Sequence, residues 1–513
     1  MRAALVALVG IGLGACGTRY AVATYEEPTV VDAGGEEFVA DAIVADAVVA
    51  DIVGADSTAP IDAPPCGKTL RERLTLKRID VDADIRYKRG GYNDIPADER
   101  IALAVQPSGA VQIAWLDNKG DTVHVTPLDE NLARVGPDVQ VPGSRVMGLV
   151  AHDDGFALLT SRADPGDPIG DIYTGPAAEA TFLLRVRGGV EAFAVPLTGT
   201  KNITHDSDSL KRDCVLATNA HGRLAWNGSK YGAYFSIHGC SGHLAEHSDG
   251  DKLVYVDPNS AWLPGGFTWR CSRTSSVDLI AEADNFTSFC LSERYPFPGL
   301  NATYIDQTSR QLTTRQVARE LTYNGYVGGQ FGGAIKLADG RYMIGWATRG
   351  TQVNSLTGAV EAEWPTHAIG FARLTSSYGA ISPIRLFMSS PPDSADHLSI
   401  HVAPYGPSLI LATWDSIENP TCRQGTCFGH YGGTHFQLAD LEGRLSDSER
   451  PDEVLDAPPN GSDGISVLPN GDLAWAFVAE DRSYSAPVTR NANGVPIAAA
   501  SRQITVARLA LCP

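Results

Sequence analysis

Residues 107–117 read PSGAVQIAWLD. A Pro-Ser-Gly turn leads into an apolar run carrying one tryptophan, which is how a tight turn feeding a buried strand reads. The pattern recurs as HDDGFALLTSR (152–162) around Gly155, NAHGRLAWNG (219–228) around Gly222, and EADNFTSFCLS (282–292) with Asn285 in the glycine's place. It returns as LADGRYMIGWATR (337–349) around Gly340, PYGPSLILATWDS (404–416) around Gly406, and LPNGDLAWAFVAE (468–480) around Gly471. The steps between these turns are 46, 67, 63, 55, 66 and 65 residues. Each unit therefore holds a turn, a strand and enough chain for roughly three more strands.

The tryptophans sharpen the reading. Trp226 and Trp475 fall four residues after their glycine, Trp115 and Trp346 six, and Trp414 eight. Every offset is even, so on extended strands these indoles point to one common side. Repeated four-stranded units that bury their faces on their neighbours are what a β-propeller requires. The prediction is an all-β propeller of seven blades, with six or eight left open by the short first step; the alternative is tandem β-sandwiches. No named repeat is matched: the Gly-His and Trp-Asp of WD40 blades, the double glycine of kelch and the sialidase aspartate box are all missing. To close the ring, residues 69–82 (LRERLTLKRIDVDA) are expected to add a strand beside 503–512 (QITVARLALC).

Composition agrees with a folded, globular chain. Of 513 residues 43% are hydrophobic and 20% charged, so a sizeable core can form. The formal charge of -19 argues against a nucleic-acid partner, which would need clustered Lys and Arg. No run of about 18 apolar residues occurs that would span a bilayer as a helix.

The first 15 residues have the shape of an export signal, with Arg2 ahead of the apolar run Ala3–Gly12 and small residues before Cys16. The string Leu13-Gly14-Ala15-Cys16 resembles the lipobox of bacterial lipoproteins. That resemblance implies lipidation at Cys16, a palmitate-type acyl anchor and attachment to a membrane of the cell envelope. Gly17, where an Asp would mark inner-membrane retention, points to the outer membrane. The alternative is an ordinary signal peptide with a chance cysteine. Residues 16–65 then form a stalk: from 17 to 65 ten acidic residues face Arg19 alone, and Asp41, Asp46, Asp51 and Asp56 recur at a five-residue step. Such a step builds neither a helical nor a strand face, so the segment is read as self-repelling and unfolded. The folded domain is assigned to residues 66–513.

With Cys16 set aside, eight cysteines remain, an even number suited to disulfides in an exported chain. Cys66 is paired with Cys512 as a staple of the ring, and Cys422 with Cys427 across a small loop. Cys214, Cys240, Cys271 and Cys290 are expected to pair among themselves.

Several strings suggest chemistry. HLAEH (243–247) matches a zinc-peptidase string but lacks a helical setting. CRQGTCFGHYGGTH (422–435) gathers two Cys and two His, read as a disulfide-closed loop in preference to a zinc or copper site; its GTCFG is no nucleophile elbow outside an α/β sheet. Asp249, Asp251 and Asp257 offer oxygen ligands for a structural Ca²⁺, set against an acidic hairpin turn. No other cofactor is called for. The binding surface is placed on AWLPGGFTWRCSRTSSVDL (261–279), where Trp262, Phe267 and Trp269 gather with Arg270 and Arg273 for a protein or glycan ligand. No complete catalytic set is found. The chain is read as a monomeric, non-catalytic binding or assembly module, with a glycan-active hydrolase or lyase using channel-mouth carboxylates as the alternative.

Overall fold

The computed structural model describes residues 69–511, apart from segments at 90–96, 99, 164–178, 199–211, 215–220, 241–247, 269–276, 298–299, 309–313, 324–330, 349–351, 354–359, 363–365, 375–384, 387–394, 424–425, 442–451, 461–462 and 480–499. Cys16, Cys66, Trp269, Arg270, Cys271, Arg273 and Cys512 lie outside the described residues.

Among the described residues, seven sheets of four or five antiparallel strands follow one another along the chain. The first consists of Ala102–Val105, Val111–Leu116, Thr122–Leu128 and Val139–Pro142. The second runs Gly148–His152, Gly155–Ala163, Glu179–Arg187 and Val190–Pro196. The third is Gly222–Trp226, Tyr231–Cys240, Ser248–Val256 and Trp262–Thr268, with Arg212–Cys214 prolonging its inner edge. The fourth, fifth and sixth begin with Val277–Ala281, Phe331–Lys336 and Ala395–Tyr405. The seventh takes Ser466–Val467, Leu473–Phe477 and Ala500–Leu509 and adds Leu74–Arg86 from the other end of the chain.

The first strands of consecutive sheets pack side by side, and Ser466–Val467 of the seventh returns to Ala102–Val105 of the first. The circuit is closed, so this is an all-β propeller. Tandem sandwiches are overturned: each sheet packs on two neighbours around a ring, where sandwich sheets pack in pairs. No described helix is long and apolar enough to cross a membrane.

Closure uses the expected partners. Leu74 pairs with Leu509 and Ile79 with Ile504, in antiparallel register. Ahead of this strand, Thr69 caps the short helix Leu70–Arg73 through a reciprocal bond with Glu72. The Glu453 carboxylate accepts from the amides of Leu70 (2.6 Å) and Arg71 (2.9 Å), tying the helix to the sixth sheet.

The core is divided among the inter-sheet spaces. Trp115 joins residues of the seventh and first sheets, Trp475 those of the sixth and seventh, and Trp414 those of the fifth and sixth. Each of these indoles faces the preceding sheet, as the even offsets predict. Trp226 is the exception and corrects the repeat. Gly222 opens an inner strand, and the turn equivalent to the others is at Gly228, whose φ of +93° only glycine adopts readily. Trp226 thus sits on a first strand, half-buried, and packs on Tyr231 at 4.6 Å between ring centroids.

Two sheets share a further device. Trp115 lies opposite His124 and stacks on it at 4.2 Å; His124 faces Asp138 at 3.7 Å, just ahead of the fourth strand. In the sixth sheet Trp414 lies opposite His435 and stacks at 5.1 Å, and His435 bonds Asp452 at 2.5 Å. Each Trp-His-Asp set ties the second, third and fourth strands of one sheet together.

Candidate functional site

The channel end at which the inner strands begin gathers charged side chains from separate sheets. Arg100, just ahead of the first inner strand, is buried. One guanidinium nitrogen donates to the carbonyls of Met147 and Gly222, which precede or open the second and third inner strands. The other donates to Asp463 of the seventh sheet at 2.7 Å. The second Asp463 oxygen accepts from the amide of Leu103 at 2.8 Å. One arginine therefore links four sheets.

Arg223 and Asp278 make the next link. Arg223 Nε donates to Asp278 Oδ1 at 3.2 Å, and Oδ2 accepts from the amide of Ala334 at 2.7 Å, joining the third, fourth and fifth sheets. From the sixth inner strand comes His401, 4% exposed, with Nε2 buried and lacking a hydrogen-bond partner. Burial, then the Arg223 charge, drive its pKa down to about 4, with partial relief from Asp463. Arg100 is pushed down to about 10, by burial first and Arg223 second, and Asp463 offsets part of this.

Beside the axis, His367 Nδ1 meets Asp396 Oδ1 at 2.9 Å, and the His367 amide donates to the same oxygen at 2.5 Å. Their side chains are 3% and 0% exposed. This pair fastens the fifth sheet to the sixth. A glycoside hydrolase needs two carboxyl groups free to handle a proton and a nucleophile across about 5 or 7–9 Å. Here each oxygen of Asp463 and of Asp278 accepts a hydrogen bond from a neighbouring sheet or amide. The arrangement fixes sheets to one another.

The sequence candidates are dispersed. Trp262 is half-buried and packs between the second and third sheets, while Phe267 is buried between the third and fourth, so the two face opposite sides of their sheet. They do not form one exposed patch. Asp251 is fully buried in mid-strand and accepts from the Tyr234 hydroxyl at 2.7 Å. Asp257 closes the next turn by accepting from the amides of Asn259 and Ala261, both at 2.8 Å. Six residue steps of extended chain separate these two by about 20 Å, so they cannot share one Ca²⁺. Asp249 lies in the same strand as Asp251, opposite His238 of the neighbouring strand. No group of three or more His, Cys, Asp or Glu suited to a metal occurs among the described residues.

Of the cysteines, Cys290 is buried and disulfide-bonded. The backbone register sets Cys422 directly opposite Cys427 on a hairpin, which is not the strand-to-helix turn of a nucleophile elbow. Cys214 lies opposite His238, and Cys240 opposite Arg212. Arg100, Asp463, Arg223, Asp278 and His401 escape sequence reasoning because they come from five different repeats and share no motif.

No family model and no curated protein matches the chain. Solved structures do. The polysaccharide lyase Uly1 aligns at 10% identity and a TM-score of 0.41, over 84% of this chain and 100% of its own. The Dos1 propeller aligns at 8% identity and 0.37, over 86% and 97%. A protein of unknown function from Dyadobacter fermentans aligns at 10% and 0.35, over 72% and 99%. Likenesses at this level carry no argument about activity, substrate or partner.

Proposed function

We propose that this chain is a lipid-anchored protein of the bacterial cell envelope whose propeller is a non-catalytic module for binding a protein or glycan. In this reading each of the seven sheets is one blade. The observation that carries it is the cross-bonding of the axial charges, with Asp463 and Asp278 held by Arg100, Arg223 and backbone amides. Residues 1–15 are the signal, Cys16 bears the acyl chains, 16–65 form the acidic stalk and 66–513 the domain. The basis for the anchor is Leu13-Gly14-Ala15-Cys16, and Gly17 favours the outer membrane. Several acyl chains on one residue hold firmly where a single chain binds marginally. Cys66–Cys512 and Cys422–Cys427 bridges complete the picture, the second supported by the facing register of its backbone.

Two experiments test this. The mature chain is applied to a glycan array and to envelope-protein extracts, and each glycan it retains is then assayed for new reducing ends and unsaturated sugars. Retention without product supports the module; product from any glycan establishes the hydrolase or lyase alternative. Separately, Cys16→Ser is expected to move the protein from the membrane fraction to the soluble one. A membrane-bound C16S chain overturns the anchor.

A further inference from the structure

A cleft of about 430 Å³ opens between the first and second sheets, at the channel end opposite the axial arginines. That volume lies within the range of small-molecule sites. Its walls are apolar, from Val125, Pro127 and Val139 of the first sheet and Phe156 and Val186 of the second. Gly188 and Gly189 border it with open space around both positions.

The polar groups are few and of one kind. Gln112 occupies the second strand of the first sheet, on the face shared with Ala114 and Leu116, which meet the second sheet through apolar contact. At this one place the alternation puts an amide where its neighbours are hydrocarbon. Gln112 is 7% exposed and lines the cleft. Its Nε2 donates to the Gly155 carbonyl at 3.2 Å. A carbonyl oxygen only accepts, so this bond fixes the amide's orientation and assigns the remaining atom as oxygen. That Oε1 is buried and has no hydrogen-bond partner. An unmet buried acceptor is costly, and such groups in native folds call for a donor. Asp153 is exposed and also lines the cleft; its Oδ1 accepts from the Ser108 amide at 3.2 Å. Asp154 also lines the cleft, but its carboxylate is taken by Arg185 and faces Arg187 at 3.6 Å.

We infer that this cleft binds a neutral saccharide, one or two rings in size. Hydroxyl groups supply donors to Gln112 Oε1 and Asp153, and the carbon face of the ring lies on the valine, proline and phenylalanine wall. A cationic ligand is disfavoured because Arg185 and Arg187 already occupy Asp154. The inference deepens the binding-module reading by naming a ligand class and a place away from the axis, and the two fail separately.

The test uses the mature chain and ligand-observed NMR with methyl glycosides of glucose, galactose, mannose and arabinose, with arginine methyl ester as a cationic probe. At least one glycoside is expected to bind saturably, and Gln112→Leu and Asp153→Ala each to weaken it tenfold or more. Asp153 is exposed, so D153A decides the matter should Q112L fail to fold. Absence of saturable binding by all four glycosides overturns the inference. So does glycoside binding that neither variant alters, a result that leaves the binding module standing with its site elsewhere. Binding of the arginine ester alone, lost in D153A, overturns it in favour of a cation.

Discussion

Replacing Arg100 by methionine tests whether the axis is a structural knot. The substitution keeps much of the side chain's length and removes the charge. It removes one donor from the carbonyls of Met147 and Gly222, the second keeping its bond from Arg223, and leaves Asp463 with the Leu103 amide. Removing one partner of a buried ion pair typically costs about 3–5 kcal/mol. At about 2.1 cal/mol/K of unfolding entropy per residue, residues 69–511 give roughly 0.9 kcal/mol/K, so a loss near 4 kcal/mol lowers Tm by about 4 °C. The double variant R100M/D463L removes both charges and is expected to recover most of that loss, since hydrophobic replacement of a buried pair is often neutral. Thermal and urea unfolding of the wild type, both single variants and the double variant form a complete cycle. The reasoning fails if R100M costs less than about 1 kcal/mol, or if the double variant is as damaged as the sum of the singles.

Two further outcomes follow. His401 has a folded pKa of about 4 against an ordinary 6.5, so the unfolded chain takes up the proton first. Its contribution is intact above about pH 6.5 and declines as pH falls towards 4, by on the order of 3 kcal/mol. His401→Gln should flatten that part of a urea-midpoint profile, with His152, also lowered to about 4 chiefly by burial, supplying a residual slope. Asp138 and Asp452 separate the two Trp-His-Asp locks: Asp138 has 0% side-chain exposure and Asp452 36%. Asp138→Ala is expected to cost roughly 2–3 kcal/mol by urea unfolding and Asp452→Ala less than about 1; equal losses contradict the burial argument.

The repeat was legible because glycine turns and even-spaced tryptophans are local signals. Gly109, Gly155, Gly340, Gly406 and Gly471 all take positive φ, and three of the tryptophans face the preceding sheet. The third repeat reads one strand early from sequence alone because Gly222 and Gly228 both precede apolar runs, and only the hydrogen-bond register tells them apart. The closing strand was foreseen from the need to finish a ring. The axial cluster was not, since Arg100 and Asp463 lie 363 residues apart and neither stands in a recurring string. The Trp-His-Asp locks escaped for another reason. Trp115 and His124 face each other across a short hairpin, Trp414 and His435 across a long one, so equal geometry arises from unequal spacing. Trp262, Phe267 and Asp251 looked like surface chemistry because composition does not reveal which face of a strand turns inward.

The pairing of Leu74–Arg86 with Ala500–Leu509 also sets a timetable. The first long strand to be synthesised finds its partner only after more than four hundred further residues have been made. Until then both edges of the unfinished array present unpaired amides and carbonyls, the template on which strands from other chains add. Loop closure over so long a separation is slow compared with the pairing of neighbouring strands. A chain stopped short of residue 500 therefore emerges as an open stack with two adhesive ends, and the interval before closure is when this protein most needs to be kept from its own kind.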